Sequence, residues 1–279
     1  MEDCCVYAKE GTWGGPPNLA FLGVYDGHGG RDMVEYLEDG LQWHVAQELL
    51  CCSAGPGGEE EEESSSSSSP SSSLSIEARL ERAFLMADIH SKQMGVSMSG
   101  ATVAMCLVKT HPQEDALLRT IYSANAGDAR IVLGHQGKAQ RLTHDHKPED
   151  PAEISRIEKA GGFLFKQRVV GVLAVTRSLG DHCMKDFVIA KPYCSEVTVR
   201  LEPDDSSSSS SSTEQKQSNL PSFLILACDG LWDVFEDQQA VDMVWKYYAD
   251  DPENVAKVLI QEALVRGSTD NISVVVAWL

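Results

Sequence analysis

Two strand-like runs, Arg119 to Ala126 and Ile131 to His135, are separated only by Gly127-Asp128-Ala129-Arg130. A parallel connection needs room for a crossover of about a dozen residues or more, so this spacer forbids one and permits an antiparallel hairpin. Further apolar runs of strand length occur at Leu19 to Tyr25, Thr102 to Lys109, Val197 to Leu201, Phe223 to Ala227 and Ile272 to Leu279. Helical spacing lies between some of them: Met33, Val34, Leu37, Leu41, Val45 and Leu49 share one face, as do Ile76, Leu80, Ala83, Phe84 and Ala87. Asp150-Pro151-Ala152-Glu153 predicts a helix start with an aspartate cap, a first-turn proline and a capping-box glutamate. Asp251-Pro252 predicts a similar start before Val255 to Val265. The sum is an α+β fold with largely antiparallel sheets, not a doubly wound parallel sheet.

Two tracts break this pattern. Residues 55–73 read GPGGEEEEESSSSSSPSSS, and 204–218 contain seven consecutive serines. Their apolar content is too small to offset the entropy of ordering, so they are expected to be low-complexity surface insertions in a single domain spanning 1–279. With 23 Lys and Arg against 42 Asp and Glu, the net charge is −19. Such a chain repels phosphate backbones and anionic lipid, so no nucleic-acid or membrane partner is expected, and cations are the natural guests. The 8 cysteines form no C-x-x-C, and the opening MEDCCVYAKE has no basic-then-apolar leader. Reduced thiols in an intracellular protein, cytoplasmic or nuclear, are the expectation, with a monomer as the simplest state.

The aspartates fall in a telling place. Asp26, Asp128 and Asp229 come at or just past the end of an apolar run, and Asp270 stands just before one. Carboxylates gathered at converging strand ends repel one another, and their pKa values rise unless cations occupy the cluster. Hard divalent ions, Mg²⁺ or Mn²⁺ before zinc, answer that need. The glycine after Asp26 and after Asp229 lets the backbone come close enough to offer a carbonyl oxygen. A lone Asp-Gly is otherwise an ordinary turn.

Read together, MED at 1–3, VYDGHGG at 24–30, SGATVAMCLV at 99–108, NAGDAR at 125–130, LTHDHKPEDPAEISRIEKAGG at 142–162, LAVTRSLGD at 173–181, ILACDGLWDV at 225–234 and GSTDNISVVV at 267–276 resemble the metal-dependent serine/threonine protein phosphatases of type 2C, the PPM family. The resemblance implies a four-layer α/β/β/α sandwich, two antiparallel sheets flanked by helices, with a binuclear metal site at one end. It implies Asp26 as the carboxylate bridging two Mg²⁺ or Mn²⁺ ions, the Gly27 carbonyl as a ligand, and Asp229 and Asp270 as further ligands of one ion. Glu2 is implied for the other ion, directly or through water, and Asp128 for a weaker third. The implied reaction is hydrolysis of phosphoserine and phosphothreonine in phosphoproteins by a metal-bridging hydroxide, with no phosphoenzyme. His28 resembles the general acid for the departing oxygen; the alternative is a histidine that only hydrogen-bonds a ligand carboxylate.

Other positions are expected to support the site. His144 and His146 brace a loop beside it, Asp181 sits behind its contacting residues, Asp233 is structural, Gly100 and Thr102 allow close sheet packing, and Trp232 belongs to the core. Residues 163–171, with Lys166 and Arg168, form a flap. Cys194 to Arg200 has the C-x-x-x-x-x-R spacing of cysteine-dependent phosphatases. The β-branched, glycine-free interior reads as a strand and not as a phosphate-cradling loop. The resemblance also implies a phosphate-holding arginine upstream of MED that nothing in this chain matches. That motivates a second expectation, a catalytically weak phosphatase-like binding module. A third, hydrolysis of a small phosphomonoester, uses the same site.

Overall fold

The computed structural model describes residues 2–51, 74–112, 117–201 and 220–279. The expected insertions at 55–73 and 204–218 lie outside the described residues. The elements run β1 (Cys4–Ala8), β2 (Leu19–His28), α1 (Asp32–Leu50), α2 (Ile76–Gln93), β3 (Gly100–Pro112), β4 (Leu117–Ala126), β5 (Arg130–His135), β6 (Lys138–Arg141), α3 (Pro151–Lys159), β7 (Leu179–Gly180), β8 (Tyr193–Leu201), β9 (Phe223–Ala227), α4 (Asp229–Trp232), α5 (Asp237–Tyr248), α6 (Val255–Val265) and β10 (Val274–Trp278). One sheet has the order β1-β2-β3-β4-β8, with β7 added to the end of β3; the other has the order β10-β9-β5-β6. Every ladder between these strands is antiparallel.

Strand periodicity explains three apolar layers. On β2, Phe21 and Tyr25 face α1 and α2, while Leu22 and Val24 face the other sheet. On β3, Val103, Met105 and Leu107 take the helix side, and Ala104, Cys106 and Val108 the inter-sheet side. On β9, Leu224 and Leu226 close the middle layer, while Phe223, Ile225 and Ala227 pack under α4, α5 and α6. Because both faces are covered, these strands read as continuous apolar runs rather than alternating ones. The four-layer α/β/β/α arrangement follows. Among the described residues no helix is long and apolar enough to cross a membrane.

The structure corrects three local expectations. The hairpin that the spacer permits between 119–126 and 131–135 does not form, because β4 and β5 belong to different sheets. The short spacer is a step between layers: Gly127 takes φ +104°, and a Cβ there would lie 2.4 Å from the Thr102 Cβ. Helix α3 starts as expected, with Asp150 Oδ1 accepting from the Ala152 N–H at 2.8 Å, but Glu153 closes no capping box. Its carboxylate instead takes Arg177 Nη2 at 2.6 Å and Arg156 Nη2 at 2.8 Å. At α6 the cap position belongs to Asn254, and Asp251 accepts from the Asn254 side chain at 2.8 Å instead of capping.

Glu153 is 2% exposed, so these partners matter. Burial alone would raise its pKa, but the hydrogen bonds from Arg177 and Arg156 and their charges outweigh it and hold the group at about 2. A carboxylate depressed in the folded state stabilises the fold fully above its unfolded value near 4.5 and loses that contribution as pH falls through about 2. The shift corresponds to roughly 3 kcal/mol at neutral pH. Glu153→Gln is therefore expected to lower unfolding stability by about that much at pH 7, and the gap to wild type should shrink progressively below pH 4 in parallel denaturant titrations.

Candidate metal centre

Four of the expected acids converge where the two sheets meet. Asp26 lies near the end of β2, opposite Thr102 of β3. Asp128 sits in the step between β4 and β5 and is 4% exposed. Asp229 opens α4 directly after β9. Asp270 precedes β10, whose ladder with β9 starts at Val274 opposite Ala227. Beyond that pair the chains stay together, since the Ser273 N–H donates to Cys228 Sγ at 3.1 Å and Cys228 Sγ donates to the Asn271 carbonyl at 3.3 Å. Gly230 allows this closeness, because a Cβ there would stand 2.0 Å from the Asn271 oxygen.

The first segment supplies an acid that sequence reasoning missed. Cys4 pairs with Tyr25 across β1 and β2, so continuing the register sets Asp3 beside Asp26. Asp3 is 7% exposed; its Oδ2 accepts from Ser273 Oγ at 2.7 Å, while its Oδ1 is buried without a partner. Glu2, the acid expected from this segment, packs on Gly27: a Cβ on that glycine would lie 2.5 Å from the Glu2 carbonyl oxygen and 3.2 Å from its Cβ. Strand alternation separates the two acids to opposite faces. The signal that finds Asp3 is the β1 register, which the short segment Cys4–Ala8 does not announce.

Electrostatics record the crowding. Burial, reinforced by the charges of Asp229, Asp3, Asp128 and Asp270, pushes Asp26 up to about 9. Asp229 rises to about 7, chiefly by burial and then by Asp128, Asp233 and Asp270. Asp128 rises to about 6 by burial, against the pull of Lys147. The Lys147 ammonium sits 3.0 Å from Asp233 and 3.6 Å from Asp128, so Asp233, expected to be structural, stands at the margin of the cluster. Asp26, Asp229 and the Cys228 thiol present ligand atoms within 4.8 Å of one another. Burial drives the Cys228 thiol well above its usual range, which keeps the sulfur protonated. Carboxylate oxygens, the unpartnered Asp3 Oδ1 and the equally unpartnered Thr102 Oγ1 beside Asp26 make an oxygen-rich setting that suits a hard divalent ion.

A brace of hydrogen bonds holds the Asp128 turn. Asn125 Nδ2 donates to the Gly127 carbonyl at 3.1 Å and to the His144 carbonyl at 2.6 Å, and the His144 N–H returns to Asn125 Oδ1 at 3.1 Å. The His146 N–H donates to the Gly127 carbonyl at 3.0 Å, and the Gly127 N–H donates to His146 Nδ1 at 3.2 Å. Burial, then the Arg177 charge, lowers His146 to about 3, so it works as a neutral acceptor. His144 Nε2 pairs with Asp150 Oδ2 at 2.7 Å. Both histidines therefore brace the loop, as expected. Arg130, just past the turn, stacks 5.0 Å over the buried Trp232 ring and binds Asp145 and Asp237.

The Cys194 segment and His28 have the following surroundings. Residues Cys194 to Arg200 are strand β8, and burial raises the Cys194 thiol to about 12, so no thiolate nucleophile stands there. His28 bonds none of the four clustered acids; its Nε2 lies 2.7 Å from Asp181 Oδ2. In the expected flap, Lys166 lies 5.5 Å over the Phe165 ring and Arg168 Nη1 donates to the Val172 carbonyl at 2.7 Å. Arg31 heads α1 and lies 3.2 Å from Glu35.

Known proteins share both the sequence and this architecture. The family description "Protein phosphatase 2C" matches residues 1–272. Protein phosphatase 2C homolog 1 of Saccharomyces cerevisiae is 33% identical over 288 residues, covering 100% of this chain and 88% of its own length. The protein of the same name from Schizosaccharomyces pombe is 33% identical, covering 100% of this chain and 69% of its own. Among solved structures, a phosphatase from a pathogenic strain of Toxoplasma gondii superposes with a TM-score of 0.73 at 23% identity, over 99% of this chain and 88% of that one. A serine-threonine phosphatase 2C from the same organism gives 0.70 at 19%, over 100% and 90%. The two structures speak to the fold, and the family match with the two yeast relatives speaks to descent: the chain belongs to the protein phosphatase 2C family of metal-dependent protein serine/threonine phosphatases.

Proposed function

We propose that the acid edge holds two Mg²⁺ or Mn²⁺ ions and that the chain hydrolyses phosphoserine and phosphothreonine in proteins by direct attack of water on phosphorus. The observation that carries this reading is Asp26, raised to about 9 by burial and then by the charges of Asp229, Asp3, Asp128 and Asp270. Divalent cations relieve that repulsion, and no cationic side chain in the cluster reaches Asp26 among the ion pairs of the described residues. Asp26, the Gly27 carbonyl, Asp229 and Asp270 are the assigned ligands. Glu2 would serve the other ion, directly or through water, Asp3 stands beside Asp26 as a further carboxylate, and Asp128 would serve a weaker third position. Bound ions supply an activated water and neutralise the phosphate oxygens. The protein supplies the rest: the two sheets fix the ligand separations, and His28 gives a proton to the departing serine or threonine oxygen.

A covalent phosphoenzyme has no support in the nearby thiols, since Cys194 lies in a strand and burial keeps Cys228 protonated. The binding-module reading is not favoured, because Asp26, Asp229, Asp270 and His28 are all present.

Turnover of a phosphothreonine peptide should vanish in EDTA, return with millimolar Mn²⁺, persist after thiol alkylation, and fall on the order of 100-fold or more in Asp229→Ala. Abolition by alkylation of Cys194 alone would overturn the mechanism. The crowding itself has a separate readout in thermal melts. In EDTA, Asp26→Asn should melt above wild type, by roughly 2–4 °C for each kcal/mol of relieved repulsion, whereas Mn²⁺ should raise the wild-type midpoint and leave the variant nearly unmoved.

A further inference from the structure

His28 and Asp181 reach one another across a glycine. Gly100 is the register partner of His28 on one side and of Gly180 on the other. A Cβ on Gly100 would lie 2.1 Å from Asp181 Oδ2 and 2.5 Å from His28 Nε2, so even one methyl group has no room while their bond is made. Gly100 has no need of a left-handed backbone. Its missing side chain is accounted for by the hydrogen bond that passes over it.

Asp181 is itself held with unusual care. It is 4% exposed and takes φ +47°, a conformation uncommon for a residue with a Cβ. Its N–H donates to the Ser99 carbonyl at 3.0 Å, and Ser178 Oγ donates to the same Asp181 Oδ2 that meets His28. From α2, the buried Asp88 accepts the Gly180 N–H at 2.8 Å and Lys185 Nζ at 2.9 Å, and Lys185 also donates to the Ser178 carbonyl at 3.1 Å. The segment carrying Asp181 is thus fastened before and after it, and the same Ser99 caps α1 by accepting the Met33 N–H at 3.0 Å.

We propose that Asp181 is the positioning residue for His28. It accepts the Nε2–H, which fixes the ring orientation and leaves Nδ1 as the nitrogen that delivers a proton. This rests on the reading of His28 as the general acid. In the step it serves, water forms the new bond to phosphorus and gives up a proton to solvent, the bond from phosphorus to the serine or threonine oxygen breaks, and that oxygen takes the Nδ1 proton, which solvent later replaces. A carboxylate placed behind an imidazole in this way sets the tautomer and the direction of transfer.

The test compares two leaving groups under saturating Mn²⁺. An alkoxide leaving from a phosphothreonine peptide needs the proton, and p-nitrophenolate leaving from p-nitrophenyl phosphate does not. For Asp181→Asn and, independently, Gly100→Ala, peptide kcat should fall on the order of 10- to 100-fold while p-nitrophenyl phosphate kcat changes less than about threefold. His28→Gln should show the same split, and the Asp181→Asn/His28→Gln pair should be no slower on the peptide than His28→Gln alone. Retained turnover of the aryl substrate certifies a folded, metal-loaded site. Equal losses on both substrates, or losses that add in the double variant, would overturn the inference. A wild type inactive on both substrates would overturn it together with the functional reading, whereas an active wild type with equal losses in the variants would overturn it alone.

Discussion

Repulsion among crowded carboxylates, two of them buried, is the constraint around which this site is arranged. Asp26 cannot be charged beside Asp3, Asp128, Asp229 and Asp270 without compensation, and the surrounding protein does little to spare it. The cationic neighbour that comes close, Lys147, leans on Asp128 and Asp233 at the margin. What the fold does provide is rigidity. Three apolar layers fix the sheets, Gly230 draws the Asp229 turn against the Asp270 segment, and the Asn125 and His146 hydrogen bonds pin the Asp128 turn. Such an arrangement costs stability without charge balance, which the proposed cations would relieve, and the family to which the chain belongs is metal-dependent.

Much of this was legible in one dimension because burial on both faces leaves a plain mark. Runs such as Phe223 to Ala227 are apolar at every position, and the Asp-Gly pairs that follow such runs announce where strand meets solvent. What stayed hidden depends on pairing between distant segments. The step at Gly127 reads as a hairpin because a short spacer fixes direction but says nothing about whether the two strands share a ladder. Asp3 went unread beside Glu2 because placing adjacent acids requires the β1 register, and a one-residue shift exchanges faces.

Glu153 shows a second kind of concealment. Its place after an aspartate cap fits a helix-start motif, yet two arginines, one of them 24 residues away, claim the carboxylate. A local motif states what a side chain can do, and the tertiary structure decides among the offers. His28 and Asp181, 153 residues apart, are the extreme case: each sits in its own glycine-rich motif, and only the antiparallel placement of β7 on β3 brings them together.

The layer change at 127–130 has a mechanical meaning. Asp26 lies on β2 of one sheet with Asp3 just before β1, Asp229 and Asp270 flank β9 and β10 of the other, and Asp128 stands at the joint between them. Sliding of one sheet over the other would alter every distance in the cluster, while the apolar contacts of the middle layer resist such sliding without direction. A cation shared by acids from both sides would act as a rivet through the sandwich, converting two independently packed sheets into a single stiff body whose resistance to shear depends on the ion supply.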